Sequence, residues 1–159
     1  GGRVTTVAAK AGCMAADPQV TGDSRLRPQK IIALADGSLV GGAGVWHRCW
    51  AAMLWMLGGE QGEPPKLKGS GLLIMKPDGS LWMVEEEFPA FPLLDAEAAI
   101  GSGAQGAMTA MRAGASAGEA VKAACRIDPC TSDPVQMLRL PKRRKKQEIS
   151  WTTALSPRS

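Results

Sequence analysis

The stretch Thr5-Thr6-Val7-Ala8-Ala9-Lys10-Ala11-Gly12-Cys13-Met14-Ala15-Ala16-Asp17 governs how the rest of the chain is read. Two runs of small and β-branched residues flank Lys10-Ala11-Gly12, a pattern that predicts a hairpin ending in a carboxylate. A threonine opening one strand and an aspartate closing the next are unremarkable alone, since threonine is an ordinary strand former. They gain meaning from Lys30 and from the glycine-rich turn Gly41-Gly42-Ala43-Gly44 that follow. A hydroxyl nucleophile needs a base, a positive neighbour to shift proton affinities, and backbone N–H donors for the oxyanion. Within 44 residues the chain offers candidates for all three.

The bulk properties narrow the classes. A chain of 159 residues fits one domain, and 45% hydrophobic with 21% charged residues is a globular composition. The net charge of +4 is a property of the tail: residues 138–159 hold seven basic and one acidic side chain, whereas residues 1–137 hold 12 basic and 14 acidic. The domain therefore carries no nucleic-acid signature, and the basic run 142–146 reads as a solvated tail. Cys13, Cys49, Cys125 and Cys130 make no C-x2-C pair and His47 is the sole histidine, which argues against a zinc site. No cofactor and no metal are expected. Without a signal-peptide pattern or an apolar run of membrane-spanning length, a reduced, cytoplasmic setting without membrane partners is the expectation.

Taken in order, 18–27 reads as a loop. Strands at 30–34 and 38–40 join at Asp36-Gly37, and a helix over 45–57 closes at Gly58-Gly59. Trp46, Trp50, Met53, Leu54 and Leu57 recur at helical spacing there. A linker spans 60–71, a second hairpin pairs 72–75 with 81–84, and 88–94 is a proline-interrupted segment. Helices follow at 104–113 and from Ser116 to about 127, the latter opening on the capping box Ser116-x-x-Glu119. Asp128-Pro129 stops that helix, 135–140 is a last strand, and 141–159 is expected to be a disordered basic tail. This order predicts an α+β domain of two antiparallel sheets stacked face to face with helices outside.

Thr5-Thr6-Val7 with Ala16-Asp17, then Lys30-Ile31, then Gly41-Gly42-Ala43-Gly44, resemble the front half of the proteasome β-subunit family. The similarity is greatest to the bacterial peptidase HslV and its phage-borne relatives. Ala99-Ile100-Gly101-Ser102-Gly103-Ala104 resembles the family's glycine–serine–glycine lead into a helix. Asp128 with Thr131-Ser132-Asp133 falls where the family carries a further Asp and hydroxyl. The resemblance spans residues 5–140 and implies the four-layer αββα sandwich of N-terminal nucleophile hydrolases.

It also implies an activity, threonine-type peptide cleavage. Residues 1–4 would be a leader or propeptide remnant whose removal frees the Thr5 α-amine as the base. Lys30 would lower the proton affinity of Thr5 and Asp17 would hold Lys30. The Gly41 N–H would bind the oxyanion, and Ser102 with Asp128 would assist proton transfer. The implied partners are a peptide or unfolded-protein substrate, further copies in a homo-oligomeric ring, and an ATPase unfoldase. Three features favour the alternative of a catalytically inactive, structural subunit, the first being the extra residues before Thr5. Val45-Trp46-His47 stands where the family has an acidic or small polar residue, and no second long helix follows the first.

Overall fold

The computed structural model describes residues 6–17, 28–127 and 135–141, without the side chains of residues 126 and 127. The leader with Thr5, the loop 18–27, the helix stop at 128–129, Cys130, the motif 131–133 and the tail from 142 lie outside the described residues. In chain order the elements are β1 (Thr6–Lys10), β2 (Cys13–Ala16), β3 (Ile31–Ala33), β4 (Leu39–Ala43), α1 (Trp46–Leu57), β5 (Gly71–Met75), β6 (Leu81–Glu85), β7 (Glu87–Pro92), β8 (Glu97–Gly101), α2 (Ala104–Arg112), α3 (Ala117–Ile127) and β9 (Gln136–Arg139).

The opening hairpin forms across a two-residue turn, with Lys10 paired to Cys13. Ala11 and Gly12 have φ of 51° and 76°, the doubly left-handed turn whose twist suits antiparallel strands. β1 and β2 become the centre of a four-stranded antiparallel sheet of order β8-β1-β2-β9. The other two predicted hairpins build a second antiparallel sheet, β3-β4-β5-β6-β7. Their turns share a device: Asp36 and Asp78 each accept the backbone N–H two residues on, from Ser38 and Ser80.

Alternation along the strands assigns the layers. Val7, Ala9, Met14 and Ala16 point from the first sheet against Ile31, Leu39, Leu73, Met75 and Leu81 of the second, forming the core between sheets. The opposite face of the first sheet, Ala8, Cys13 and Ala15, packs on Ala107, Met111, Ala120, Val121 and Ala124 of α2 and α3. Cys49, Ala52 and Met53 of α1 cover the outer face of the second sheet at Ile32, Val40, Leu72 and Ile74. Helix, sheet, sheet, helix is the four-layer sandwich expected. The alanines explain how two helices pack so closely on β1 and β2. The capping box also forms, since Ser116 Oγ accepts the Glu119 N–H at 3.1 Å and Glu119 Oε1 accepts the Ser116 N–H at 3.3 Å.

Three expectations need correction. Gly41, Gly42 and Ala43 are not a turn but the last three residues of β4. The proline-interrupted segment contains an edge strand, β7, where missing N–H donors are tolerated because one side of the strand faces no partner. Ala99 to Gly101 end strand β8, so the lead into α2 is confined to Ser102 and Gly103. Residues 58–70 form neither helix nor strand, so α1 is the only helix laid on the second sheet among the described residues. No helix there is long and apolar enough to cross a membrane.

The close packing of the sheets is testable at Gly41. A Cβ added there would lie 2.7 Å from Val7 Cγ1 and 3.1 Å from Met14 Sδ. Gly41→Ala should therefore cost ~1–3 kcal/mol of stability in chemical denaturation, the usual range for overpacking. An unchanged midpoint would show that the two sheets are not held at this spacing.

Candidate active site

The hairpin ends at a carboxylate, as the sequence suggests, and that carboxylate organises the site. Asp17 follows β2, and its backbone N–H donates to the Thr6 carbonyl at 3.1 Å, extending the β1–β2 ladder by one bond. Its side chain then turns inward. Oδ2 accepts the Thr6 backbone N–H at 2.6 Å and Oδ1 accepts Lys30 Nζ at 2.5 Å. Thr6, Asp17 and Lys30 are all at most 2% exposed. A buried ammonium is tolerated only when paired, and the expected Asp17–Lys30 ion pair provides that.

Lys30 is fixed through its backbone as well. Its N–H donates to Gln136 Oε1 at 2.8 Å, while Gln136 Nε2 donates to the Pro28 carbonyl at 2.8 Å. Its carbonyl accepts the Gly42 N–H at 3.3 Å. One glutamine on β9 thus braces the residue before β3 on behalf of the ion pair.

Thr6 ties this cluster to α2. Its Oγ1 accepts the N–H of Gly103 at 3.1 Å. Gly103 is the N-cap residue of α2 and supplies no side-chain cap of its own. A side chain at Gly103 would collide with Thr6 Oγ1, so the glycine permits this close approach. Ser102 stands exposed one residue earlier. It borders a cleft of about 520 Å³ whose walls include Gly44, Ser70, Met83, Glu86 and Ile100.

The sequence-derived candidates therefore divide. Asp17 and Lys30 are brought together beside Thr6, and Ser102 reaches the rim of the cleft one residue from Thr6's hydrogen-bond partner. Thr5 and Asp128 lie outside the described residues. Gly41 is placed differently from Ser102. It sits inside β4 between its registered partners Ile31 and Leu73, where backbone donors serve the ladder, and it does not line the cleft. Gly44 does. It lies one residue past the last registered pair, Ala43 with Gly71, and its φ of 119° is open to glycine and strained for other residues.

Thr6, Gly44, Gln136 and Ser70 were not singled out from the sequence. Thr6 and Gly44 stood inside the quoted motifs, so a signal existed for both. Gln136 acts across 106 positions and Ser70 across 25, and neither belongs to a motif. The buried thiols are unsuited to nucleophilic work. Burial pushes Cys49 up to about 11, against a weaker opposing hydrogen bond from Ser70. Burial also raises Cys13, with Arg139 opposing.

No protein-family model matches the sequence, and no curated protein matches it. Solved structures match the fold. Eukaryotic HslV from Trypanosoma brucei superposes with a TM-score of 0.58 at 18% identity, over 85% of this chain and 97% of that one. Thiobacillus denitrificans BPH gives 0.56 at 19% identity, over 87% of this chain and 99% of that one. The same protein in complex with epoxomicin gives 0.56 at 21% identity over the same shares. The αββα sandwich is thus the fold of HslV from Trypanosoma brucei and of BPH, matched over most of this chain.

The coupling of the buried pair can be measured. Asp17→Asn or Lys30→Met alone leaves an uncompensated buried charge and should each cost about 3–5 kcal/mol in denaturant unfolding. The double variant should be more stable than either single one. Additive losses would mean that the two side chains do not share one buried environment.

Proposed function

We propose that this chain is a threonine-type peptidase with Thr5 as nucleophile. The observation that carries the reading is the position of Asp17, whose two oxygens bind the Thr6 N–H and the Lys30 ammonium inside a buried site. A residue joined to Thr6 by a trans peptide has its Cα ~3.8 Å away. Thr5 is joined covalently to Thr6, and Thr6 Oγ1 accepts the N–H of Gly103, the chain neighbour of Ser102 at the cleft.

In this reading residues 1–4 are removed, and residues 5–140 form the catalytic domain. The α-amine of Thr5, which titrates near pH ~8 when free, takes the proton from Thr5 Oγ as the oxygen attacks a peptide carbonyl. The Lys30 charge favours the deprotonated oxygen, and Asp17 keeps Lys30 in place. The tetrahedral oxyanion is bound by a backbone N–H, and Gly44 replaces Gly41 in that role because it borders the cleft beyond the ladder. The C–N bond then breaks, the proton passes to the leaving amine, and an ester on Thr5 remains. Water hydrolyses the ester by the reverse proton path. Ser102, and Asp128 by resemblance, assist the transfers.

The substrate class is peptides or unfolded chains. Leu54 and Leu57 on α1 are 45% and 46% exposed, which supports association with further copies; the ring and an ATPase unfoldase are proposed from the resemblance alone. The complex of BPH with epoxomicin supports ligand binding by this fold, and we expect the same compound to bind this chain.

The direct test is peptide hydrolysis by protein produced to begin at Thr5. We expect cleavage, a loss of about 10³-fold or more on Thr5→Ala with assembly unchanged, and no activity while residues 1–4 persist. A chain that begins at Thr5, folds and still does not cleave peptides would establish the structural-subunit reading instead.

A further inference from the structure

Ser70 belongs to no motif, yet it meets the wall of the cleft at its most constrained point. It is 8% exposed and lies just before β5. Its backbone is fixed on both sides: the N–H donates to the Leu67 carbonyl at 2.6 Å, and the carbonyl accepts the Glu86 N–H at 3.1 Å. The anchored hydroxyl accepts the Val45 N–H at 2.8 Å. Val45 is the N-cap residue of α1, and no side chain of its own caps that helix. A remote serine holds the peptide at the helix start instead.

Gly44 is the residue between two fixed points. Ala43 before it is held in the ladder opposite Gly71, and Val45 after it is held by Ser70. A Cβ at Gly44 would lie 2.5 Å from the Gly69 carbonyl oxygen and 2.7 Å from Ser70 Oγ. The two segments therefore touch with no room for a side chain. Glycine is required by that contact, but glycine also has the freest backbone of any residue. The direction of the Gly44 N–H must be set by what grips its neighbours. The Ser70 hydroxyl also bonds the Cys49 thiol, which burial pushes up to about 11.

We infer that Ser70 is a positioning residue: by holding the Val45 N–H on the far side of Gly44, its hydroxyl fixes the Gly44 backbone dihedrals and so the direction of the Gly44 N–H, which belongs to the Ala43–Gly44 peptide. This rests on the peptidase reading and on Gly44 as its oxyanion donor. Such a donor acts through preorganisation, and a displacement of about an ångström can cost on the order of 100-fold in rate.

The experiment uses protein beginning at Thr5, with Ser70→Ala and Ser70→Thr compared against the parent. Ser70→Ala removes one oxygen and the acceptor of the Val45 N–H, so the thermal midpoint should fall by only about 2–5 °C with folding intact. We expect kcat to fall about 10- to 100-fold with KM within about twofold, the split expected when only transition-state binding is lost. Amide hydrogen exchange at Val45 should quicken about tenfold, the equivalent of one hydrogen bond. Ser70→Thr keeps the acceptor and should restore kcat to within about threefold. Unchanged kcat in Ser70→Ala overturns the inference and leaves the peptidase reading standing. Loss of kcat in both variants with Val45 exchange unchanged also overturns it, since the loss would then not act through Val45. An inactive parent overturns the peptidase reading and this inference with it.

Discussion

Lys30 and Asp17 meet 2.5 Å apart between the two sheets, with neither side chain reaching solvent. Removing two ions from water costs several kcal/mol each, and packed apolar side chains of the same volume often stabilise a fold as well or better. The pair is therefore a poor device for stability alone. What it does locally is specific. Asp17 divides its oxygens between the ammonium and the Thr6 N–H, so the first residue of β1 and the residue before β3 share one carboxylate. The two sheets are thereby tied together at the end where the cleft opens.

The surrounding fold can be read as what this pair demands. Holding Lys30 without water requires sheets in close contact, and the small residues allow it: Gly41 leaves room for Val7 and Met14. Alanines on the outer face of β1 and β2 let α2 and α3 approach just as closely. Thr6 carries the arrangement outward by receiving the Gly103 N–H, which places Ser102 at the cleft. Gln136, from the last strand, locks the backbone of Lys30 from the other side. Sequence-distant segments thus converge on one buried charge pair.

How much of this was legible depended on the range of each interaction. The three hairpins were readable because their turn chemistry is local, in Ala11-Gly12, Asp36-Gly37 and Asp78-Gly79. The helices were readable from apolar periodicity and the Ser116–Glu119 box. The Asp17–Lys30 pair was anticipated because neither residue made sense buried without the other. Edge strand β7 was missed because its prolines contradict a central strand, and its edge position was unknowable before the sheet order. Gly41 comes from the resemblance, as the first glycine of its motif, and four adjacent small residues look alike in one dimension. Only the ladder, ending at Ala43, separates a donor used in the sheet from one beyond it. Ser70 and Gln136 act through tertiary contacts alone and left no pattern to find.

The central claim is that the buried pair serves an N-terminal threonine whose own amine is the base. The most direct measurement compares peptide hydrolysis by the chain beginning at Thr5 with that of the same chain acetylated on its α-amine. Acetylation removes the basic nitrogen while leaving the Thr5 hydroxyl, Lys30, Asp17 and the fold in place. If the amine is the base, the acetylated chain folds with the same thermal midpoint and has no activity. Equal cleavage by both chains would contradict the claim.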